Sequence, residues 1–164
     1  MIFVVLGTCE MPFVRPLVQI EEAVRQGLIP KPVVVQSGRT SYASPDLNLV
    51  PFYVNQELEQ MYEQAALVIC QADVGSIMLG LRKQKKVIAI ARLSKFAEHH
   101  DDQQLEILDT FTKSGAVLPW NGDGDLPDVL RRVENFVSAG YPFCEEKISR
   151  SILDYLDANV KGRF

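Results

Sequence analysis

Leu67-Val68-Ile69-Cys70, followed by Gln71-Ala72-Asp73-Val74-Gly75-Ser76, decides the fold of this chain. The apolar quartet reads as a buried strand, and the small polar run after it as a turn. Ile77 to Lys83 then reads as a helix, Val87 to Ala91 as a second buried strand, and Glu98-His99-His100-Asp101-Asp102-Gln103-Gln104 as a charged loop. A strand, turn, helix and strand in this order make a parallel βαβ unit. Open α/β sheets bind ligands at the carboxyl ends of such strands, so the two polar segments are the candidate site.

The same alternation extends outward in both directions. Ile2 to Leu6 is a strand that ends in Gly7-Thr8. Pro12 opens a helix whose Phe13, Leu17, Ile20 and Val24 recur at helical spacing. Strands are expected at Val33 to Val35 and at Leu49 to Tyr53, with the polar loop Arg39 to Asn48 between them. Glu57 to Ala65 and Gln104 to Lys113 read as helices, and Ala116 to Leu118 as the last strand. Amphipathic helices are expected at Leu126 to Val137 and at Lys147 to Leu156, divided by Gly140-Tyr141-Pro142. Strands alternating with helices imply a parallel sheet covered on both faces. The expected fold is α/β, a single Rossmann-like doubly wound domain over residues 1–164.

Composition narrows the function classes. The 164 residues are enough for one domain with a real core, and 47% apolar with 23% charged content is ordinary for a globular protein. A net charge of -4 argues against nucleic-acid binding, which calls for a basic surface. No apolar run is long enough to span a bilayer, and the first one lacks the basic flank of a signal peptide. Cys9, Cys70 and Cys144 are odd in number and widely spaced, which suits a reducing, cytoplasmic setting.

Each polar feature has a plain and a sharp reading. Gly7 and Thr8 follow the first strand, where a glycine lets backbone approach a ligand and the next helix favours a phosphate. The plain reading is a tight turn. Gly75 and Ser76 stand at the start of a helix, so Ser76 either caps it or helps hold a diphosphate, while Asp73 would repel that anion or cap the helix itself. The loop Glu98 to Gln104 reads first as a polar comb for a hydroxyl-rich ligand, with Asp102 and Gln104 as its bidentate groups. Capping by Asp101 or Asp102 comes next, and a metal site last, because adjacent histidines rarely face one centre. Asn121-Gly122-Asp123-Gly124-Asp125 starts like a calcium loop, but Leu126 and Arg132 stand where glycine and glutamate are needed, so it is a turn. Arg82-Lys83-Gln84-Lys85-Lys86 is a basic helix end, whose sharper reading is contact with an acidic partner or lipid surface.

Three ordered pieces then carry a resemblance. They are Ile2-Phe3-Val4-Val5-Leu6-Gly7-Thr8 through Pro12-Phe13, the strand-turn-helix-strand order from Tyr62 to Ala91, and Phe96-Ala97-Glu98-His99 with Asp102 and Gln104. The last is similar to a Phe-Gly-Glu-His-x-x-Asp-x-Gln signature. Over residues 1 to 120 the chain resembles the C-terminal half of family 28 glycosyltransferases. Within that group it is similar to the small subunits of two-component exopolysaccharide transferases of the PssE type, the small subunit of the eukaryotic dolichol-linked GlcNAc transferase, and the donor-binding half of MurG.

The resemblance implies half of a GT-B enzyme that binds a UDP-sugar as substrate, with no cofactor and no metal. A membrane-associated, acceptor-side glycosyltransferase subunit would supply the acceptor site and usually the base, and would be the route to the inner membrane. The isolated chain would be inactive and would either pair with that partner or form a homo-oligomer. Transfer would invert the sugar onto a lipid-linked or exopolysaccharide acceptor. Gly7, Thr8, Gly75, Ser76, Glu98, His99, Asp102 and Gln104 would form the donor site, and no catalytic residue is named by the motifs. The chain departs from the pattern at Gln71, Ala72 and Asp73, where the family favours His-Gly-Gly or Gly-Gly, and at Leu79, where it has a ribose-gripping glutamate. Losing such a hydrogen-bond partner costs roughly 1 to 3 kcal/mol, about tenfold to a hundredfold in affinity. The alternative function is thus a degenerate relative with a structural or regulatory role. A third is an unrelated nucleotide-binding Rossmann-like domain.

Overall fold

The computed structural model of the chain describes residues 1–140. Six parallel strands form one sheet: β1 (Ile2–Val5), β2 (Val33–Gln36), β3 (Asn48–Val50), β4 (Leu67–Gln71), β5 (Lys86–Ile90) and β6 (Leu118–Trp120). Their order is β3-β2-β1-β4-β5-β6, the Rossmann arrangement, in which the chain reverses direction across the sheet between β1 and β4. Helices α1 (Val14–Arg25), α2 (Asn55–Gln64), α3 (Val74–Arg82), α4 (Gln103–Lys113) and α5 (Leu126–Asn135) cover it.

Period-two alternation along each strand divides the core in two. Ile2, Val4, Val33, Val35, Ile69 and Ile88 pack beneath Leu17 and Ile20 of α1 and Val129 of α5. Phe3, Val5, Val68, Cys70, Val87 and Ala89 face the other way, against Ile77 and Leu81 of α3 and Leu108 and Phe111 of α4. Burying each large side chain stabilises the fold by roughly 1.5–3 kcal/mol, and this two-sided burial is why the strands read as continuous apolar runs. On the second face Tyr62 meets Phe3 edge-on, ring centroids 5.4 Å apart, and donates its hydroxyl to the Ser76 carbonyl. Gly80 brings α3 against β5: a Cβ there would stand 2.7 Å from Val87 Cγ2.

Prolines move two strands from their expected places. β3 ends at Val50, because Pro51 has no N–H to continue the ladder, and its carbonyl instead accepts from Gly38. The last strand lies at Leu118–Trp120, not Ala116–Leu118; Pro119 sits inside it opposite Ala89, tolerated because β6 is an edge of the described sheet. α3 begins at Val74, three residues before the expected Ile77, because Asp73 caps it. The helix expected at Lys147 to Leu156 lies outside the described residues. No helix among the described residues is long and apolar enough to cross a membrane.

Candidate functional site

The loops after β1, β4 and β5 meet at the point where the sheet order reverses. Arg92, two residues past the end of β5, ties them together and is 1% exposed. Its Nη2 donates to the Leu6 carbonyl at 2.6 Å, its Nη1 to the carbonyls of Met11 (2.7 Å) and Glu98 (2.9 Å), and its Nε to Gln71 Oε1 at 2.6 Å. The guanidinium stacks over the Phe13 ring, 4.6 Å from its centroid. Burial pushes its pKa down from the ordinary arginine value.

Gly7 is buried with φ +76°, and a Cβ on it would come 2.0 Å from Gln71 Nε2. This glycine therefore makes room for the Gln71 amide that holds Arg92. Its own carbonyl closes against Gly38, where a Cβ would lie 2.1 Å away. Thr8, the next residue, is exposed at the crevice.

At the start of α3 the Asp73 carboxylate caps the helix. Oδ1 accepts from the Ser76 N–H at 2.8 Å, and Oδ2 is buried without a hydrogen-bond partner among the described residues. The side chain of Ser76 is not the cap; its backbone N–H is what Asp73 caps. Gly75 is exposed and Ser76 half-buried beside it. Leu79 of α3 is half-buried against the second core cluster, with Tyr62, Phe3 and Val87 among its members.

The loop after β5 uses several of its polar groups internally. Glu98 is 3% exposed and receives Arg15 on both oxygens, Nε to Oε1 and Nη2 to Oε2, each at 2.8 Å. Its Oε2 also accepts the Leu93 N–H at 3.0 Å. Gln104 is buried, its Oε1 accepting the Arg92 N–H at 3.0 Å. Asp102 is exposed and accepts the Ser94 N–H at 2.8 Å, a bond that holds its carboxyl below the usual range. Ala97 has φ 53° and ψ 35°, a left-handed conformation at the position where the resembled motif has glycine. His99 stays accessible, its side chain 26% exposed.

The eight sequence-predicted residues lie on the loops after β1, β4 and β5 and the helix starts that follow them, and they have two kinds of place. Thr8, Gly75 and Asp102 are exposed and Ser76 and His99 half-buried, whereas Gly7, Glu98 and Gln104 are buried. Sequence reasoning passed over Arg92 and Arg15, which do most of the positioning, and read Gln71 only as a departure from the resembled pattern and Asp101 as one of two capping candidates. Asp101 carries the capping role, its Oδ1 accepting from the Gln103 N–H at 3.0 Å. Three of the four basic residues of the cluster have partners: Lys83 pairs with Glu59 and Glu63, Lys85 donates to the Glu63 carbonyl, and Lys86 to carbonyls near the end of α5, while Arg82 is exposed. The Asn121 to Asp125 segment is a turn closed by the Asp125 carboxylate. Among the described residues no three of His, Cys, Asp and Glu cluster so as to hold a metal ion. Two surface cavities, about 690 and 670 Å³, open at the amino ends of β6 and β5, opposite the crevice.

No protein-family model and no curated protein matches the chain. Solved structures do. MurG of Acinetobacter baumannii superposes with a TM-score of 0.54 at 17% identity, over 80% of this chain and 40% of that one. The glycosyltransferase of kitacinnamycin gives 0.56 at 17%, over 90% and 37%, and the glycosyltransferase SnogD from Streptomyces nogalater 0.52 at 15%, over 93% and 43%. The chain spans about two-fifths of the length of these structures. At such identity the likeness is one of fold: this chain has the Rossmann-like fold of one half of a GT-B glycosyltransferase.

Proposed function

We propose that this chain is the donor-side subunit of a two-component inverting glycosyltransferase. It would hold a UDP-sugar at the crevice and act with a membrane-associated subunit that binds a lipid-linked or exopolysaccharide acceptor. The observation that carries this reading is the convergence of the β1, β4 and β5 loops, with Thr8, Gly75, Ser76 and His99 accessible, at the switch point of a 3-2-1-4-5-6 sheet. A nucleotide sugar brings its own leaving group, so the protein needs mainly to orient it and to stabilise the departing diphosphate. Gly7, Glu98 and Gln104 would serve that site from beneath, by shaping the loops that touch the donor. The acceptor half of the cleft lies outside these residues, on the partner chain in this reading.

A second reading is a subunit that keeps the fold and has lost the nucleotide. Asp73 inside the α3 turn and Leu79 in place of a ribose-binding acid favour it. Titration calorimetry with UDP and UDP-sugars, on the chain with its acceptor-side partner, separates the two. Binding in the micromolar range supports the donor-side role, and no heat at about millimolar UDP, where even roughly -4 kcal/mol would register, rejects it.

A further inference from the structure

Every hydrogen bond donated by Arg92 among the described residues ends on an uncharged oxygen. The side chain bonds the carbonyls of Leu6, Met11 and Glu98 and the amide oxygen of Gln71. Four of the five guanidinium N–H groups are thereby used. The ring it stacks on, Phe13, is itself fixed by a bond from the Phe13 N–H to Thr40 Oγ1 at 3.0 Å. The planar fork is left with one orientation, and the three loops are held to it.

These bonds also set the direction of two peptides. A trans peptide is planar, so its N–H points opposite to its C=O. Both the Leu6-Gly7 and the Glu98-His99 bonds are trans. With the Leu6 carbonyl on Arg92 Nη2, the Gly7 N–H of the same peptide points away from the buried guanidinium. With the Glu98 carbonyl on Nη1, the His99 N–H does likewise. The Met11 peptide adds no donor, since Pro12 follows it. Neither the Gly7 nor the His99 N–H has a hydrogen-bond partner among the described residues, a rare state for a buried group such as Gly7. The acids of these loops are engaged elsewhere: Glu98 by Arg15, Asp73 by the Ser76 N–H, Asp101 by the Gln103 N–H and Asp102 by the Ser94 N–H.

The two peptides hang from adjacent nitrogens of one planar group, so their N–H groups are neighbours, one on the loop after β1 and one on the loop after β5. Neighbouring backbone donors backed by a buried cation suit an anion. We infer that Arg92 is a positioning residue for the diphosphate of the donor: by drawing the Leu6 and Glu98 carbonyls onto itself, it presents the Gly7 and His99 N–H groups to the phosphate oxygens. The inference rests on the donor-side reading above. Besides its part in shaping the first loop, Gly7 thus offers its own N–H from the floor of the site. Arg92 touches no phosphate and acts through these two peptides, and through them its fixed charge favours the negative charge that grows on the departing diphosphate.

The test uses the ¹⁵N-labelled chain in complex with the acceptor-side subunit, with UDP, inorganic pyrophosphate and uridine as probes read by NMR and calorimetry. In wild type, UDP and pyrophosphate should move the backbone amide signals of Gly7 and His99 downfield, and uridine should leave them in place. Arg92→Lys keeps the charge and loses the fork. It should bind UDP about tenfold or more weakly and uridine within about twofold of wild type, with the Gly7 and His99 shifts abolished. A role confined to folding would weaken UDP and uridine alike, so equal losses overturn the inference. So does an Arg92→Lys complex that binds UDP as tightly as wild type. UDP or pyrophosphate that binds wild type and leaves both amides unmoved overturns it without recourse to any variant. A wild-type complex that binds no UDP rejects the donor-side reading and this inference with it.

Discussion

Arg15 and Glu98, 83 residues apart, are joined by two parallel N–H···O bonds of 2.8 Å. Their side chains are 14% and 4% exposed, so water screens the pair little. Arg15 also donates to the carbonyls of Ala91 and Asn121 and stacks on Phe96, so one residue of α1 fastens both loops that flank it. Removing one partner strands a buried charge. Glu98→Ala should therefore lose about 3 kcal/mol of stability in urea unfolding, and Arg15→Met a similar amount. The double variant should lose clearly less than the sum, the coupling expected of residues in direct contact.

Asp73 sets stability against nucleotide binding. Asp73→Gly removes a cap, at a cost of up to about 1 kcal/mol, and frees the α3 N-terminus for an anion. Calorimetry should show UDP binding about tenfold more tightly to Asp73→Gly than to wild type. Adding Leu79→Glu should give a further gain of about tenfold for UDP and little for 2′-deoxy-UDP, since the new acid would grip ribose hydroxyls. Unchanged affinity in both would mean that the diphosphate does not sit at this turn.

Ala97 holds a left-handed backbone with a Cβ in place. That conformation costs an L-residue roughly 1–2 kcal/mol, and glycine relieves it while adding a smaller entropy to the unfolded chain. Ala97→Gly should raise stability by about 0.5–1 kcal/mol, read as a higher urea midpoint at constant m-value.

Acid should loosen the loop between β2 and β3. Glu21 on α1 accepts from Tyr42 and Ser44 of that loop, and Asp46 pairs with Arg25 and Lys31. The bonds from Ser44 and Tyr42 lower the Glu21 carboxyl, Lys31 and Arg25 lower that of Asp46, and burial with the bond to Glu21 pushes the Tyr42 phenol up to about 12. A carboxylate lowered in the folded state stabilises it fully above its unfolded value and loses that contribution as pH falls through the folded one. Stability should thus hold from neutral pH down to about 5 and drop below the unperturbed carboxylate values of 4.5 and 3.8. Glu21→Gln should flatten the decline seen in urea unfolding between pH 5 and 3, values that bracket the ordinary carboxylate range of about 4.

The fold was legible because nearly every strand is apolar on both faces, and because Gly7, Ser37-Gly38 and Asp73 punctuate the strand ends. The strand errors fell at Pro51 and Pro119, where a single missing N–H outweighs apolar periodicity, and the helix error at Asp73, whose cap starts α3 early. The site was legible as a set of loops and not as a set of orientations. Glu98 and Gln104 lie beneath the crevice because Arg15 and Arg92 hold them, and those partners are set by tertiary packing that no local pattern encodes. Arg92 did leave a trace: a lone charge directly after Ile88-Ala89-Ile90-Ala91, too far inside an apolar run to be a solvated end. Asp101 and Asp102 were equally legible as caps, and only the Gln103 N–H, which donates to Asp101, separates them.

The placement of Pro119 has a consequence for assembly. The described sheet ends on one side in β6, which carries that proline, and on the other in β3, three residues long. Neither border offers an incoming strand a continuous row of donors and acceptors. Both borders therefore disfavour extension of this sheet by an added strand, as many peptide-capturing domains allow. The partner of the two-chain reading proposed above would then engage side chains on the helices and strand-end loops, and its association would be read out by surface substitutions and not by competition from extended peptides.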